Sequence, residues 1–357
     1  MISKNFQIDG TLIGEDAPTY FIADIAANHD GSLERAKNLI GLAKESGANA
    51  AKFQHFKAEE IVSDFGFANL VDSESHQSKW TKSVVETYED ASVPTEWTAE
   101  LKKACDVAGI TFLSTPYDFD SVDQIDQYVS AYKIGSGDID WLELINYVVT
   151  KNKPIIVAAG ASNFAEIERV VEILTGSPNE FAVLQCNTNY TAQAENYSHI
   201  NLKVIELFKE VWPGLVVGLS DHSRGLASVL GAISLGAKII ERHFTDDVVR
   251  EGPDHKFATT PSEWKKMVEE ARLLECALGK KQKEICTNEK MSSIVQRRCV
   301  RARFSLEVGS RLTRQDLSVL RPATPGAVRP NEIDHVIGRV LKVDLKAGEE
   351  LRWSDIE

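Results

Sequence analysis

The sequence predicts a (β/α)8 barrel followed by a small, mostly β second domain, and three observations carry that prediction. Eight apolar runs of strand length alternate with amphipathic segments of helix length over about 260 residues, the count and size of a barrel. The runs carry Ile, Val and Phe on both faces, as strands of a parallel sheet covered by helices do. Past residue 279 the chain turns polar and charged, and its last 60 or so residues contain an internal echo.

A hairpin is expected at 6–13, turned on Asp9-Gly10. The eight runs then follow as YFIADIA (20–26), NAAKFQ (49–54), ITFLSTP (110–116), AYKIGS (131–136), PIIVAAG (154–160), FAVLQCN (181–187), LVVGLSD (215–221) and KIIERHF (238–244). Helical stretches such as SLERAKNLIGLAKESG and FAEIERVVEILTG end in glycine, which helix C-termini favour. An open doubly wound sheet is the competing arrangement, but its usual GxGxxG is absent. Residues 55–93 are too long for an ordinary connection and read as an insertion over the top of the barrel. The expected boundaries are 1–278 for the barrel, 279–297 for a linker and 298–357 for the second domain. There VGSRLTRQDL (308–317) is echoed by AGEELRWSDI (347–356). Gly309, Leu312, Asp316 and Leu317 recur 39 positions later as Gly348, Leu351, Asp355 and Ile356, which suggests pseudo-twofold symmetry.

Composition narrows the class. The chain has 357 residues, 43% hydrophobic and 26% charged, ordinary values for a globular protein. A formal net charge of -13 argues against nucleic acid as a partner, yet leaves room for a local basic pocket. The longest nearly apolar stretch, ASVLGAISLGAKII (227–240), is interrupted and too short to span a bilayer. The N-terminus lacks a signal-peptide pattern, so a cytoplasmic protein with no membrane partner is expected. Cys105, Cys186, Cys276, Cys286 and Cys299 form no CxxC and read as reduced thiols.

In a barrel of this kind, polar residues at the C-terminal strand ends mark the active site. The ends here offer Asp24 and Asn28-His29, Lys52 and Gln54, Ser114-Thr115, and Lys133 and Ser136. Further round they offer Gln185, Asn187, Thr188 and Asn189, then Ser220-Asp221-His222 and Glu241-Arg242-His243. The fifth run ends Ala158-Ala159-Gly160, which supplies only backbone and space. An acid such as Asp24 in an apolar strand must be paired or stand at a site. His222 and His243 end consecutive strands, so they either converge on one divalent cation or are separate hydrogen-bonded loop histidines. Lys52 and Lys133 repel each other unless a phosphate or carboxylate lies between them. The alternative is two separate salt bridges, for instance to Asp24 and Asp138. Asp254, in Gly-Pro-Asp-His (252–255), either contacts a polyhydroxylated substrate or caps the next segment. His29, His55 and His255 are further candidates for substrate contact, and His76, His199 and His335 read as surface residues.

The ordered set IADIAANHDG, AAKFQ, LSTPYDFDSVD, YKIGSGD, GLSDHSRG, IERHFT and EGPDHK resembles the sialic acid synthase family. The C-terminal RPATPGAVRPNEIDHVIGRVLKVDLKAGEEL resembles that family's antifreeze-protein-like (SAF) domain. The resemblance implies condensation of phosphoenolpyruvate with an N-acetylmannosamine-like open-chain sugar, giving a nonulosonic acid and phosphate. It also implies a domain-swapped homodimer and a divalent cation, typically Mn2+, with Mg2+ or Co2+ as alternatives. By the same resemblance, His222 and His243 match the metal ligands. Lys52, Lys133, Ser136 and Ser220 match residues around phosphoenolpyruvate, and Gln54, Tyr190 and Asp254 match residues near the acceptor. Asn187 joins the substrate-binding set, and Arg321 matches the SAF-domain arginine that reaches the partner subunit's site. Asp24 is expected to be catalytic with Lys52 and Lys133, although the family usually has Glu there. The family also usually has Ser/Thr-Thr-Gly at Ala158-Ala159-Gly160, and HCT at Gln185-Cys186-Asn187. A changed acceptor sugar would account for these departures, and loss of activity is the alternative. Related synthases acting on phosphorylated aldoses lack the SAF domain, so its presence is expected to favour an unphosphorylated acceptor. A pyruvate-dependent aldolase is a further rival.

Overall fold

Side chains along a strand alternate between two faces, and here that alternation separates an inner barrel core from an outer one. The computed structural model describes residues 2–70, 77, 80–191 and 193–357. A hairpin of β1 (Asn5–Ile8) and β2 (Thr11–Gly14) turns on Asp9 and Gly10, both at positive φ, as expected. Eight parallel strands follow: β3 (Tyr20–Asp24), β4 (Ala50–His55), β5 (Thr111–Pro116), β6 (Tyr132–Ile134), β7 (Ile155–Ala158), β8 (Phe181–Cys186), β9 (Val216–Asp221) and β10 (Ile239–His243). Each lies within its expected run to within one residue. Pairing of β10 with β3, from Ile239 opposite Tyr20 to His243 opposite Asp24, closes the barrel.

Helix α1 (Leu33–Glu45) follows β3. The insertion after β4 supplies α2 (Ala58–Ile61), α3 (Asp64–Ala68) and α4 (Val84–Ala91) before α5 (Trp97–Ala108). Parts of that insertion, 71–76 with His76 and 78–79, lie outside the described residues. The remaining barrel helices are α6 (Phe119–Asp126), α7 (Leu142–Val149), α8 (Phe164–Thr175), α9 (Val204–Val211), α10 (Ala227–Ser234) and α11 (Pro261–Leu278). Gly47, after α1, takes the left-handed conformation favoured at helix ends (φ +93°). Gly176, after α8, does not: it stays right-handed at φ -76°. The hydroxyl of Ser177 instead caps the Leu174 carbonyl at 2.8 Å. Among the described residues no helix is long and apolar enough to cross a membrane. All five cysteines are unpaired, with Cys105, Cys186 and Cys299 buried.

Outward strand residues such as Phe21, Phe53 and Phe112 pack against Leu39, Leu101 and Trp264 of the helices. Inward residues Tyr20, Ile22, Leu113, Ile156 and Leu184 form a second core, into which the hairpin packs Phe6, Ile8 and Ile13. The N-terminal end of the barrel is therefore apolar and plugged. Polar inward residues are left to its C-terminal end.

Residues Lys280–Glu357 form a second compact unit, so the stretch expected as a linker groups with it. It holds α12 (Ser292–Val295), an antiparallel pair β11 (Cys299–Ala302) and β12 (Leu317–Leu320), and α13 (Ile333–Val336). The echo in the sequence is structural. Gly309 and Gly348 turn at φ +83° and +84°, and Leu312 and Leu351 are both buried. Asp316 and Asp355 each accept a backbone hydrogen bond from the residue three before, both at 2.8 Å. Leu312→Ala and Leu351→Ala are expected to cost similar amounts, ~2–5 kcal/mol each, because both open a cavity in one small core. Denaturant unfolding followed by a probe in this unit checks the equality.

Candidate active site

The alternation that fills the inner core continues upward into chemistry. Ile22 is followed by Asp24, Ala50 by Lys52 and Gln54, Ala131 by Lys133, and Ile239 by Glu241 and His243. Parallel register then sets neighbours. His243 lies opposite Asp24, and Asp24 opposite Lys52, so three adjacent strands carry these residues in one row.

Asp24 and Lys52 are each 2% exposed and paired, Lys52 Nζ to Asp24 Oδ2, at 2.7 Å. Gln54 Nε2 donates to the same oxygen at 3.2 Å, and His243 Nε2 lies 3.7 Å from it. Lys133 Nζ is 3.4 Å from Glu241 Oε1, which also accepts from Ser220 Oγ at 3.1 Å. The lysines are thus satisfied by separate salt bridges. Asp24 is a partner, as the alternative had it, but Lys133 takes Glu241 and not Asp138. Asp138 stands apart, its carboxyl pushed up to about 6 by burial and by Asp140.

Burial raises the Asp24 carboxyl above its ordinary value; Lys52 opposes this and the Glu241 charge adds to it. For Glu241 burial works the same way, but Lys133 and Lys52 outweigh it and hold the group at about 2. Lys133 is lowered by burial, whereas for Lys52 the charges of Asp24 and Glu241 overcome burial and raise it. The cluster brings two basic and two acidic side chains together, all of them buried.

The rings of His222 and His243 approach to 5.4 Å between centroids. Burial pushes His243 down to about 3, so it is neutral, and its Nδ1 makes no hydrogen bond within the protein. His222 Nδ1 faces the Asn187 carbonyl at 3.0 Å; that oxygen can only accept, so Nδ1 carries the hydrogen and Nε2 is left as a ligand atom. Burial opposes charge on this ring too, but Cys186, 3.9 Å away, and the Asn187 carbonyl raise it to about 9. A cation binding this ring takes the place of that proton. Asp24 Oδ1 and Glu241 Oε2 also lack partners within the protein. Two imidazoles beside unpartnered carboxylate oxygens are donors of a type that can hold a divalent cation. Among the described residues no group of three or more His, Cys, Asp or Glu is placed to hold a metal ion, so the candidate ligand set is the two histidines alone.

The other expected residues divide. Asp254 Oδ2 lies 3.7 Å from His243 Nδ1, and the Tyr190 ring packs at a tilt against His222, 4.4 Å between centroids, so both belong to the site. Ser136 Oγ accepts from the Gly160 amide at 3.0 Å. A Cβ at Gly160 would sit 2.0 Å from Thr188 Oγ1 and 2.8 Å from Ser136 Oγ, so only glycine fits. Asn187 acts on His222 through its carbonyl, while its side chain donates to the His199 carbonyl instead. Arg321 is exposed on the second unit. His55 and His255 are buried with both ring nitrogens engaged by the protein, which removes them as substrate contacts. His29 is buried too, its Nδ1 accepting from the Gly31 amide while its Nε2 finds no partner among the described residues. His199 and His335 are exposed, as expected.

Above the row lies a cavity of about 140 Å³. Gln54, His243 and Asp254 line its polar side; Phe56, Trp80, Tyr88, Tyr117 and Tyr190 line the rest. Trp80 and Tyr88 come from the insertion, which therefore does cover this mouth. Sequence reading set the insertion over the barrel top and Tyr190 near the acceptor, but gave no particular role to Glu241, Trp80 or Tyr88. Glu241 was detectable, standing two residues before His243 and thus on the same face. The placement of Trp80 and Tyr88 was not, because nothing local assigns a given residue of an irregular insertion to a strand end.

Fold and site together define a barrel enzyme whose mouth carries a buried cluster of two lysines and two carboxylates beside a pair of histidines. The chain belongs to the NeuB family: that family's model matches residues 39–283, and the SAF domain model matches residues 297–357. It is thereby a sialic/nonulosonic acid synthase-type enzyme, of the phosphoenolpyruvate-dependent condensing kind. It is 33% identical over 356 residues to the N,N'-diacetyllegionaminic acid synthase of Legionella pneumophila, covering 96% of both chains. It is 29% identical to the N-acetylneuraminate-9-phosphate synthase of Homo sapiens, over 96% of this chain and 94% of that one. Among solved structures, the N-acetylneuraminic acid synthetase of Leptospira borgpetersenii in complex with citrate superposes with a TM-score of 0.71 at 27% identity, covering 81% of this chain and 95% of that one. The human relative corrects one expectation. It is named for a phosphorylated product and aligns nearly end to end, so the SAF domain does not by itself select an unphosphorylated acceptor.

Glu241→Gln is expected to strand Lys133 without a counter-ion, costing ~3–5 kcal/mol at neutral pH. With a folded value of about 2 against an ordinary 4.5, Glu241 stabilises fully above the ordinary value and loses its effect as pH falls through that window. The stability gap between wild type and variant should therefore shrink from pH 5 towards pH 2, as read by denaturant titrations across that range.

Proposed function

We propose that this site joins phosphoenolpyruvate to an N-acetylmannosamine-like open-chain sugar, giving a nonulosonic acid and phosphate. The observation that carries the reading is the row His243, Asp24 and Lys52 at one register on adjacent strands, with His222 5.4 Å from His243. His222 and His243 would hold a divalent cation, manganese or else magnesium or cobalt, which when bound polarises the acceptor aldehyde as a Lewis acid.

Lys52 and Lys133, with the Ser136 and Ser220 hydroxyls, hold the phosphate and carboxylate of phosphoenolpyruvate and aim its C3 at the aldehyde carbon. As the C–C bond forms, positive charge develops at C2. Asp24 stabilises that charge and places the water that adds there. The tetrahedral adduct then expels phosphate by C–O cleavage. Gln54 and Asp254 face the sugar hydroxyls. Tyr190, whose phenol burial keeps well above its ordinary value, remains a hydrogen-bond donor. Asn187 serves through its carbonyl, which orients His222. Arg321 keeps the part the resemblance gives it, a cation delivered by the second domain within a domain-swapped homodimer. A cytoplasmic setting goes with this reading.

The cavity bears on the acceptor. Among its described lining residues none is a Lys or Arg, and Asp254 stands at its floor. Burial chiefly, with the Asp254 and Asp138 charges adding to it, pushes Tyr88 up to about 12. An aromatic, electronegative hollow suits an N-acylated sugar with an uncharged far end and opposes a phosphate there.

Phosphoenolpyruvate and manganese are to be offered with N-acetylmannosamine, its 6-phosphate, and a 2,4-diacetamido-dideoxyhexose, with products read by mass spectrometry. Phosphate release is expected with a neutral sugar, and at least ~10-fold lower kcat/KM with the 6-phosphate. His222→Ala and His243→Ala should each abolish it; persistence in both overturns the metal assignment. Silence across the whole panel overturns the reaction.

Asp24→Glu addresses the departure from the family. An extra methylene pushes the carboxylate into Lys52 and Gln54, and a ~1 Å displacement at a reacting centre costs ~10²-fold. A loss of kcat of that order, or an altered acceptor preference, is expected. Unchanged kinetics would make the shorter acid neutral drift.

A further inference from the structure

Asp254 is held at the site by a group of side chains that no step above uses. Its Oδ2 accepts from the Ala27 amide at 3.2 Å and lies 3.7 Å from His243 Nδ1. The next residue, His255, is fully buried and engages both ring nitrogens. Nδ1 meets Thr245 Oγ1 at 2.8 Å, and Nε2 meets Asp30 Oδ1 at 2.8 Å. Thr245 and His255 flank the loop after β10. Asp30 belongs to the loop after β3, the strand that β10 pairs with to close the barrel.

The second oxygen of Asp30 is shared. Arg250 reaches it with Nε at 2.7 Å and Nη2 at 2.6 Å, and Arg35 Nε lies 3.2 Å away. Arg35, on α1, also donates to the Asn28 carbonyl at 2.8 Å and to Asp246 at 2.9 Å. Burial opposes the charge on Asp30, yet His255 and Arg250 outweigh it and hold the carboxyl below its ordinary value. The turn is wound tightly over the imidazole: a Cβ at Gly252 would lie 2.7 Å from His255 Cδ2. Two loops that follow the first and last barrel strands are thus stapled together, with the part-buried Asp30 carboxylate on the buried His255 imidazole at the centre.

We infer that Asp30 and His255 are positioning residues, which lock the last βα loop so that the Asp254 carboxylate stays beside His243 and the Ala27 amide. Neither lines the cavity that Asp254 lines. They act through it: His255 and Asp254 share a peptide bond, so the buried ring anchors the backbone on which the carboxylate rides. The inference rests on the proposed reaction only for the identity of the ligand that Asp254 meets.

The test uses the full chain, with His255→Ala, His255→Gln, Asp30→Asn, Arg250→Ala and Asp254→Ala. His255→Ala is expected to raise KM for the acceptor ~10-fold or more, leave KM for phosphoenolpyruvate within about twofold, and be partly rescued by His255→Gln. Added to Asp254→Ala, it should cause no further loss, since residues acting through one group are not additive. Amide hydrogen exchange across 247–258 should quicken in the His255 and Asp30 variants, whatever the activity. Unchanged exchange, additive losses, or equal rises in both KM values overturn the inference. Should His255→Ala fail to fold, Asp30→Asn and Arg250→Ala supply the same comparison. If wild type turns over no acceptor, the reaction fails, while the exchange data still decide the staple.

Discussion

The ion pair of Lys52 and Asp24, closed to water at 2.7 Å, is the constraint around which the rest of the molecule is arranged. Burying either charge alone would cost several kcal/mol, and a buried pair adds little net stability against an apolar replacement. Its presence is therefore poorly explained by folding and well explained by chemistry. It also dictates its surroundings. Gln54 and His243 gather on the same Asp24 oxygen that meets Lys52, and Glu241 answers the second lysine, so that four buried groups balance in charge.

Such a cluster requires the barrel beneath it. The hairpin plugs the N-terminal end with Phe6, Ile8 and Ile13, and the inner apolar layer keeps water from reaching the charges from below. Polar groups accumulate only where the inward alternation emerges from that layer. Burial then raises the Asp24 carboxyl, against the pull of Lys52, and keeps the His243 ring neutral. Aromatic residues from the insertion and from later loops cover the mouth. The same interior thus serves as core below and as reaction vessel above.

The closing seam between β10 and β3 carries more of the site than any other junction. It sets His243 beside Asp24, and its two loops bring Asp254 to the Ala27 amide. Continuous sheet gives this seam its register, but the loops beyond it have no ladder to hold them. Side-chain contacts among Asp30, Arg35, Arg250 and His255 replace the missing backbone order.

The sequence by itself determined the eight strands, the second domain and its doubled half-motif, and most of the polar residues at the barrel mouth. Those features are local: periodicity of two in a strand, periodicity of helices between, and polar residues where apolar runs end. Family-specific motifs in fixed order also made the family legible before any coordinate. Tertiary structure alone decided who partners whom. Whether Lys133 meets Asp138 or Glu241 depends on register between strands far apart in the chain, and no local pattern records it. The burial of His29, His55 and His255 follows from helices and loops packing over them, so histidines that look alike in sequence part ways in the fold. Asn187 contributes a carbonyl where its side chain was expected, because the backbone, and not residue type, faces His222. Sequence sets which groups the barrel can bring to its mouth; long-range packing sets their distances, their partners and their charge.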